Sequence, residues 1–178
     1  MKRISLLLFL IPAFLFSCDK IEDANTVEFD TTLSLDIPVA VIEPVAKVEK
    51  SAEADFQFDQ SATASLSDIT EISAYLSKLK SIDINNIEVL FSGLGSGEEI
   101  KSIDISVTGI GVLATITNVT SANNTHTPSV DNAKLMQAAT ILNSTKALTV
   151  TVSGTTTTAP MDFTVNMDFD CHIEAKAL

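Results

Sequence analysis

The chain has no tryptophan, one tyrosine, two cysteines and two histidines in 178 residues. Each scarcity excludes or weakens something. A glycan-binding face usually stacks sugars on exposed aromatic rings, so their scarcity weakens that role without removing it. Here there is Tyr75 alone, and Phe29, Phe56, Phe58, Phe91, Phe163 and Phe169 mostly fall on the apolar positions of alternating patterns. Zinc sites draw several His or Cys ligands into a tetrahedron, and His126 and His172 do not supply enough. Cys18 and Cys171 make no disulfide framework. Basic residues are also few, 11 against 23 acidic, with no Lys/Arg cluster. That balance excludes nucleic acid and anionic lipid headgroups as partners, since both are held by clustered positive charge. The longest hydrophobic run, residues 4–16, is shorter than the roughly 20 apolar residues of a membrane-spanning helix.

What is present starts at the N-terminus. Lys2 and Arg3 precede "ISLLLFLIPAFLF", and a small residue follows at Ser17. A positive start, a short apolar core and a small residue make a secretory signal peptide. The residue after it is Cys18. The stretch Leu15-Phe16-Ser17-Cys18 resembles the lipobox of bacterial lipoproteins, with Leu at −3, Ser at −1 and Cys at +1. The resemblance implies cleavage before Cys18 by signal peptidase II, a diacylglyceryl thioether on its sulfur, and a fatty acyl group of the palmitate kind on the new amino terminus. Several chains matter. Each buried CH₂ contributes about 0.8 kcal/mol, so one chain binds reversibly while two or more anchor stably.

Asp19, Lys20, Glu22 and Asp23 follow the lipid site. An Asp in that place resembles the inner-membrane retention signal of enterobacterial lipoproteins. An acidic stretch there also resembles the surface-export signal of lipoproteins of the Bacteroidetes type, and the Thr/Asp-rich body that follows is more similar to this second group. The resemblance implies an outer-membrane lipoprotein, on the cell surface or the periplasmic face. Asp30-Thr31-Thr32 resembles the short O-glycosylation site of exported proteins of the same group, which would place a glycan on Thr31.

The domain reading is residues 1–17 as signal peptide, 18–26 as lipidated cysteine and polar tether, and 27–178 as one domain. Without Lys2 and Arg3 the mature chain keeps nine basic residues against 23 acidic ones, a formal charge of −14. About 160 residues suffice to bury a sizeable core. The 46% apolar content argues for a folded body.

Period-2 alternation dominates that body. Val27, Phe29, Leu33, Leu35, Ile37, Val39 and Val41 share one parity, with polar residues between them. Pro38 sits on the polar parity and assigns this strand to a sheet edge. Phe56 and Phe58 mark a short strand. Ile69, Ile72, Leu76 and Leu79, spaced 3, 4 and 3, predict a helix, with Asp68 and Glu71 as a capping box or Ser67 as its cap. Ile82 and Ile84 exchange parity with Ile87, Val89 and Phe91, which predicts a β-bulge at Asn85–Asn86. A similar change across Gly109 predicts a second bulge, with Ile110, Val112, Ala114 and Ile116 inward. The "GLGSGEE" stretch between these strands leads into a strand, not a helix, so it reads as a hairpin loop and not a phosphate cradle. Leu135, Ala138, Ala139 and Leu142 predict a second helix within 129–145. From Met161 to Ala177 the alternation is strict, a span of roughly 55 Å at about 3.3 Å per residue that must bend, break or run along an elongated domain.

Strands with one apolar face bury it against a second sheet. The expected fold is mainly β: an antiparallel β-sandwich, Ig-like or jelly-roll-like, with two short helices. Asp168, Asp170, His172 and Glu174 share the polar face of the last strand. Alternate residues lie about 7 Å apart, so this row reads as a solvated face and not as a metal site. Cys171 and His172 point to opposite sides of a strand, and no nucleophile motif accompanies either. The expectation is therefore no catalytic residue, no cofactor and no metal. The remaining roles are a structural or interaction module, a glycan- or ligand-binding lipoprotein, or a fimbrial or adhesin-like assembly subunit. Each would be held at the membrane through Cys18, with a protein or glycan as partner.

Overall fold

The computed structural model describes residues 25–43 and 55–178. Eight strands form two antiparallel four-stranded sheets. The strands are β1 (Thr26–Val41), β2 (Phe56–Ser65), β3 (Leu79–Ser92), β4 (Glu99–Val107), β5 (Gly111–Thr120), β6 (Thr125–His126), β7 (Ala147–Thr156) and β8 (Met161–Lys176). The first sheet has the order β1-β8-β3-β6 and the second β2-β7-β4-β5. The sheets pack face to face as a β-sandwich. Only the β4–β5 connection stays within a sheet, and every other connection crosses between the two.

β8 is the central element of the first sheet. Its odd residues from Met161 to Ala175 are all buried, with Val165, Phe169, Cys171, Ile173 and Ala175 wholly inaccessible. Its even residues line the outer face. The strand runs unbroken for 16 residues, pairing along its whole length with β1 and over most of it with β3. β1 repeats the pattern: Leu33, Leu35, Ile37, Val39 and Val41 are buried and the residues between them exposed. It is an edge strand, as Pro38 requires, since proline has no N–H to donate to a second ladder.

In β3 the register shift falls between Ile84 and Asn86, and it keeps Ile82, Ile84, Ile87, Val89 and Phe91 in one core despite their change of parity. In the second sheet, Phe58 covers Gly154 on the facing strand and meets Phe163 of the other sheet edge-on at 5.4 Å. Gly154 must be glycine, because a Cβ there would lie 2.1 Å from the Ser102 carbonyl oxygen.

Four expectations are corrected. Ile69, Ile72, Leu76 and Leu79 do face inward, but not on an α-helix. Ile69 and Ile72 flank the gap between two 3-10 turns, Leu66–Asp68 and Ser73–Lys78, Leu76 lies in the second, and Leu79 starts β3. Isoleucines lose side-chain freedom in a helix, and Ser and Thr hydroxyls compete for its backbone. Here the Ser73 hydroxyl donates to the Thr70 carbonyl, and the cap is Ser65, which accepts from the Ser67 N–H. The parity change across Gly109 begins with a hairpin turn joining β4 to β5, with both Gly109 and Gly111 at positive φ. The register shift that goes with it lies just past the turn, where Leu113 is the extra residue between Val112, opposite Ser106, and Ala114, opposite Ile105; it leaves Val112 exposed and buries Leu113. "GLGSGEE" links β3 in one sheet to β4 in the other, so it is a crossover and not a hairpin. Finally, the strand at Phe56 continues to Ser65 and is not short.

The one α-helix among the described residues is α1 (Asn132–Thr145). Asp131 caps it by accepting from the Ala133 N–H at 2.8 Å, and Leu135, Ala138, Ala139 and Leu142 form its buried face. Lys146 ends it in the left-handed region, φ 63°.

Candidate functional site

The outer face of the first sheet carries the acidic residues of three strands. Register sets them in rows. Glu174 lies between Glu28 and Ser81, His172 between Asp30 and Asp83, Asp170 between Thr32 and Asn86, and Asp168 between Ser34 and Glu88. Asn166 lies between Asp36 and Leu90. The face is strongly anionic, and the groups on it pair locally. The Ser34 hydroxyl donates to Asp168 at 2.7 Å. The Asn166 amide donates to Asp36 at 2.7 Å and accepts from the Ser92 hydroxyl at 2.8 Å.

His172 Nδ1 stands 2.7 Å from Asp30 Oδ1. The hydrogen bond to Asp30 holds the imidazole pKa above its ordinary value, against a smaller opposing effect of desolvation, and the charges of Asp30, Glu28 and Glu174 add to it. This pair escapes a reading of the sequence. Position 172 is plainly on the polar face, but its partner lies 142 residues away, and nothing local announces that the two strands are neighbours.

The other candidates separate. Cys171 points into the core, where burial and then the charge of Asp170 push its thiol up to about 12. A group so protonated is no nucleophile. His126 sits in β6, stacked edge-on against Phe91 at 5.8 Å, with Nε2 3.1 Å from the Asn123 carbonyl oxygen. It pairs with Val89, six residues along β3 from the Asp83 that faces His172. In the crossover 93–98, the Gly95 N–H donates to the Glu98 carboxylate at 2.5 Å, so the loop's own acid takes the group a phosphate would need. Among the described residues, no three His, Cys, Asp or Glu side chains gather as a metal site. Thr31 stands on the core-facing parity, half buried opposite Cys171, while Thr32 faces solvent. The signal peptide, Cys18 and the tether to residue 24 lie outside the described residues.

The outer face of the second sheet is different. Ser61 and Thr63 of β2, Thr149, Thr151, Ser153 and Thr155 of β7, and Ser102 and Ser106 of β4 present hydroxyls, with Thr63 and Thr149 bonded at 2.8 Å. The sandwich thus has one anionic and one hydroxyl-rich side. None of its aromatic side chains is exposed among the described residues: Phe29 and Tyr75 pack on each other at 5.1 Å and both are half buried.

No family model matches this sequence, and the search of curated proteins finds no similar one.

Proposed function

We propose that the chain is an envelope lipoprotein, anchored through acyl chains on Cys18, whose β-sandwich serves as a non-catalytic structural or interaction module of the outer membrane. The observation that carries the interaction reading is the acidic outer face of the first sheet, where Glu28, Asp30, Asp36, Asp168, Asp170 and Glu174 stand in register. Among the described residues β1 pairs as a strand with β8 alone and lies at the edge of that sheet. The same edge favours an assembly subunit as the second reading, because a strand from a neighbouring molecule adds to a sheet in this way. A glycan-binding role has less support, for want of an exposed aromatic platform among the described residues.

Anchoring is tested by the intact mass of the membrane fraction. The expected protein has lost residues 1–17 and gained acyl mass. Cys18→Ala is expected to leave the membrane or to remain unprocessed. Membrane-bound, normally processed Cys18→Ala protein would overturn the reading.

A further inference from the structure

We propose that the cleft between the first turns of α1 and the outer face of β3 binds a guanidinium group on an aliphatic stem, the side chain of an arginine presented by a partner protein. This deepens the interaction-module reading and rests on it.

The cleft holds about 440 Å³, within the range of small-ligand sites, roughly 300–1,000 Å³. Its floor is β3 and β8, where Asp83 faces His172 across the ladder. Its wall is α1, which lies against β3 and is fixed there by its buried face.

Three features define the occupant. The first is a set of polar groups available to it. Asp30 holds His172 Nδ1 at 2.7 Å, and the two nitrogens of an imidazole point apart, so Nε2 is directed away from Asp30. Among the described residues, Nε2 and the side chains of Asp83, Asn85 and Asn132 make no hydrogen bond or ion pair, and all four residues line the cleft.

The second feature is apolar. Met136 is 69% exposed at the cleft rim, above the buried Ile84 and Leu135. A flexible thioether beside a polar row suits an aliphatic stem that carries its charge at the tip.

The third feature is charge. Glu28, Asp30, Asp170 and Glu174 surround the His172 side of the cleft, and the unpaired Asp83 stands inside it. An anion is repelled. The N-terminus of α1, which would attract one, already has the Asp131 carboxylate at the Ala133 N–H. A guanidinium suits the cleft better than an ammonium. Its planar fork meets one carboxylate through two parallel N–H bonds and gives up water more readily. Its other N–H groups then reach the amide oxygens of Asn85 and Asn132. In the neutral ring that donates Nδ1–H to Asp30, Nε2 accepts one more.

The test uses the full chain in detergent with ¹³C-labelled methionine methyls, at about pH 8, above the ordinary imidazole value. The probe is N-acetyl-arginine methylamide. It is expected to shift the Met136 methyl saturably and to leave the buried Met161 and Met167 unmoved. The lysine counterpart should bind more weakly, and the neutral citrulline counterpart at least about tenfold more weakly. Asp83→Asn, at an exposed position, should weaken the arginine probe about tenfold. Glu88→Gln makes the same charge change on the same face of β3 but outside the cleft, and should weaken it less than about twofold. A capped heptapeptide with one arginine among serines and glycines should bind at least as tightly as the amide.

An unmoved Met136 methyl would overturn the proposal. Equal losses in Asp83→Asn and Glu88→Gln would also overturn it, by reducing the effect to general attraction by the acidic face, which would still stand as an interaction surface. A peptide about tenfold weaker than the amide would assign the cleft to a free small molecule and overturn the partner. None of these readouts involves Cys18, so failure of the anchor, of the face and of the cleft are read separately.

Discussion

His172 of β8 and Asp30 of β1 meet at 2.7 Å across 142 residues of sequence, a close polar contact between the first and the last of the described strands. The groups facing the imidazole are Asp30 and Glu28 on β1, Asp83 on β3, and Asp170 and Glu174 on its own strand. The hydrogen bond to Asp30 raises the pKa in the folded state above the ordinary 6.5. A raised folded pKa gives stability that is fully present below the unfolded value and is lost as pH rises through the folded one. Asp30→Asn is therefore expected to lower the His172 pKa toward 6.5 in an NMR titration. The stability difference between the two proteins should be largest near pH 5, below the ordinary imidazole value and above the carboxylate range, and should shrink as pH rises through the raised pKa of His172. A His172 pKa indifferent to the substitution would contradict the pair.

The parity of β8 can be tested on adjacent residues. Phe169 is wholly buried and Asp170 is exposed. Phe169→Ala should cost about 3–5 kcal/mol in denaturant melts, and Asp170→Ala well under about 1 kcal/mol. The reverse order would refute the inward assignment of the odd residues.

Cys171 should be inert in the native protein. With its thiol pushed up to about 12 by burial, it has almost no thiolate at neutral pH. Alkylation by iodoacetamide, followed by mass, is expected to modify it only after denaturation. Rapid labelling of the folded chain at this position would show that β8 opens readily.

The two long strands were legible because alternation in β1 and β8 is nearly unbroken and a sandwich gives each strand one wet and one dry side. Pro38 even announced the edge. The asparagines in β3 disclosed their bulge because apolar runs of opposite parity flank them. The failures share one cause. A spacing of 3, 4 and 3, as in Ile69, Ile72, Leu76 and Leu79, turns four side chains toward the core on an α-helix and does so equally well on a path of short 3-10 turns, their caps and the start of a strand. The parity flip near Gly109 combines a turn with a register shift at Leu113, and alternation alone does not separate the two. Each pattern records which side chains go inside and leaves the path of the backbone undetermined. The site was half legible for a related reason. Parity placed Asp168, Asp170, His172 and Glu174 on one face, but the row acquires its meaning from β1 and β3, and strand order is not encoded locally.

The pairing of β1 with β8 also governs when the fold can close during synthesis. Even the nearest partners, Val41 and Met161, are 120 residues apart, and the farthest, Thr26 and Lys176, are 150 apart. At a ribosomal pace of about 5–20 residues per second, β1 waits roughly 6–24 s before its partner exists. Over that interval Leu33, Leu35, Ile37, Val39 and Val41 have no strand to shelter them. The first sheet therefore cannot be completed before the last residues of β8 have been made.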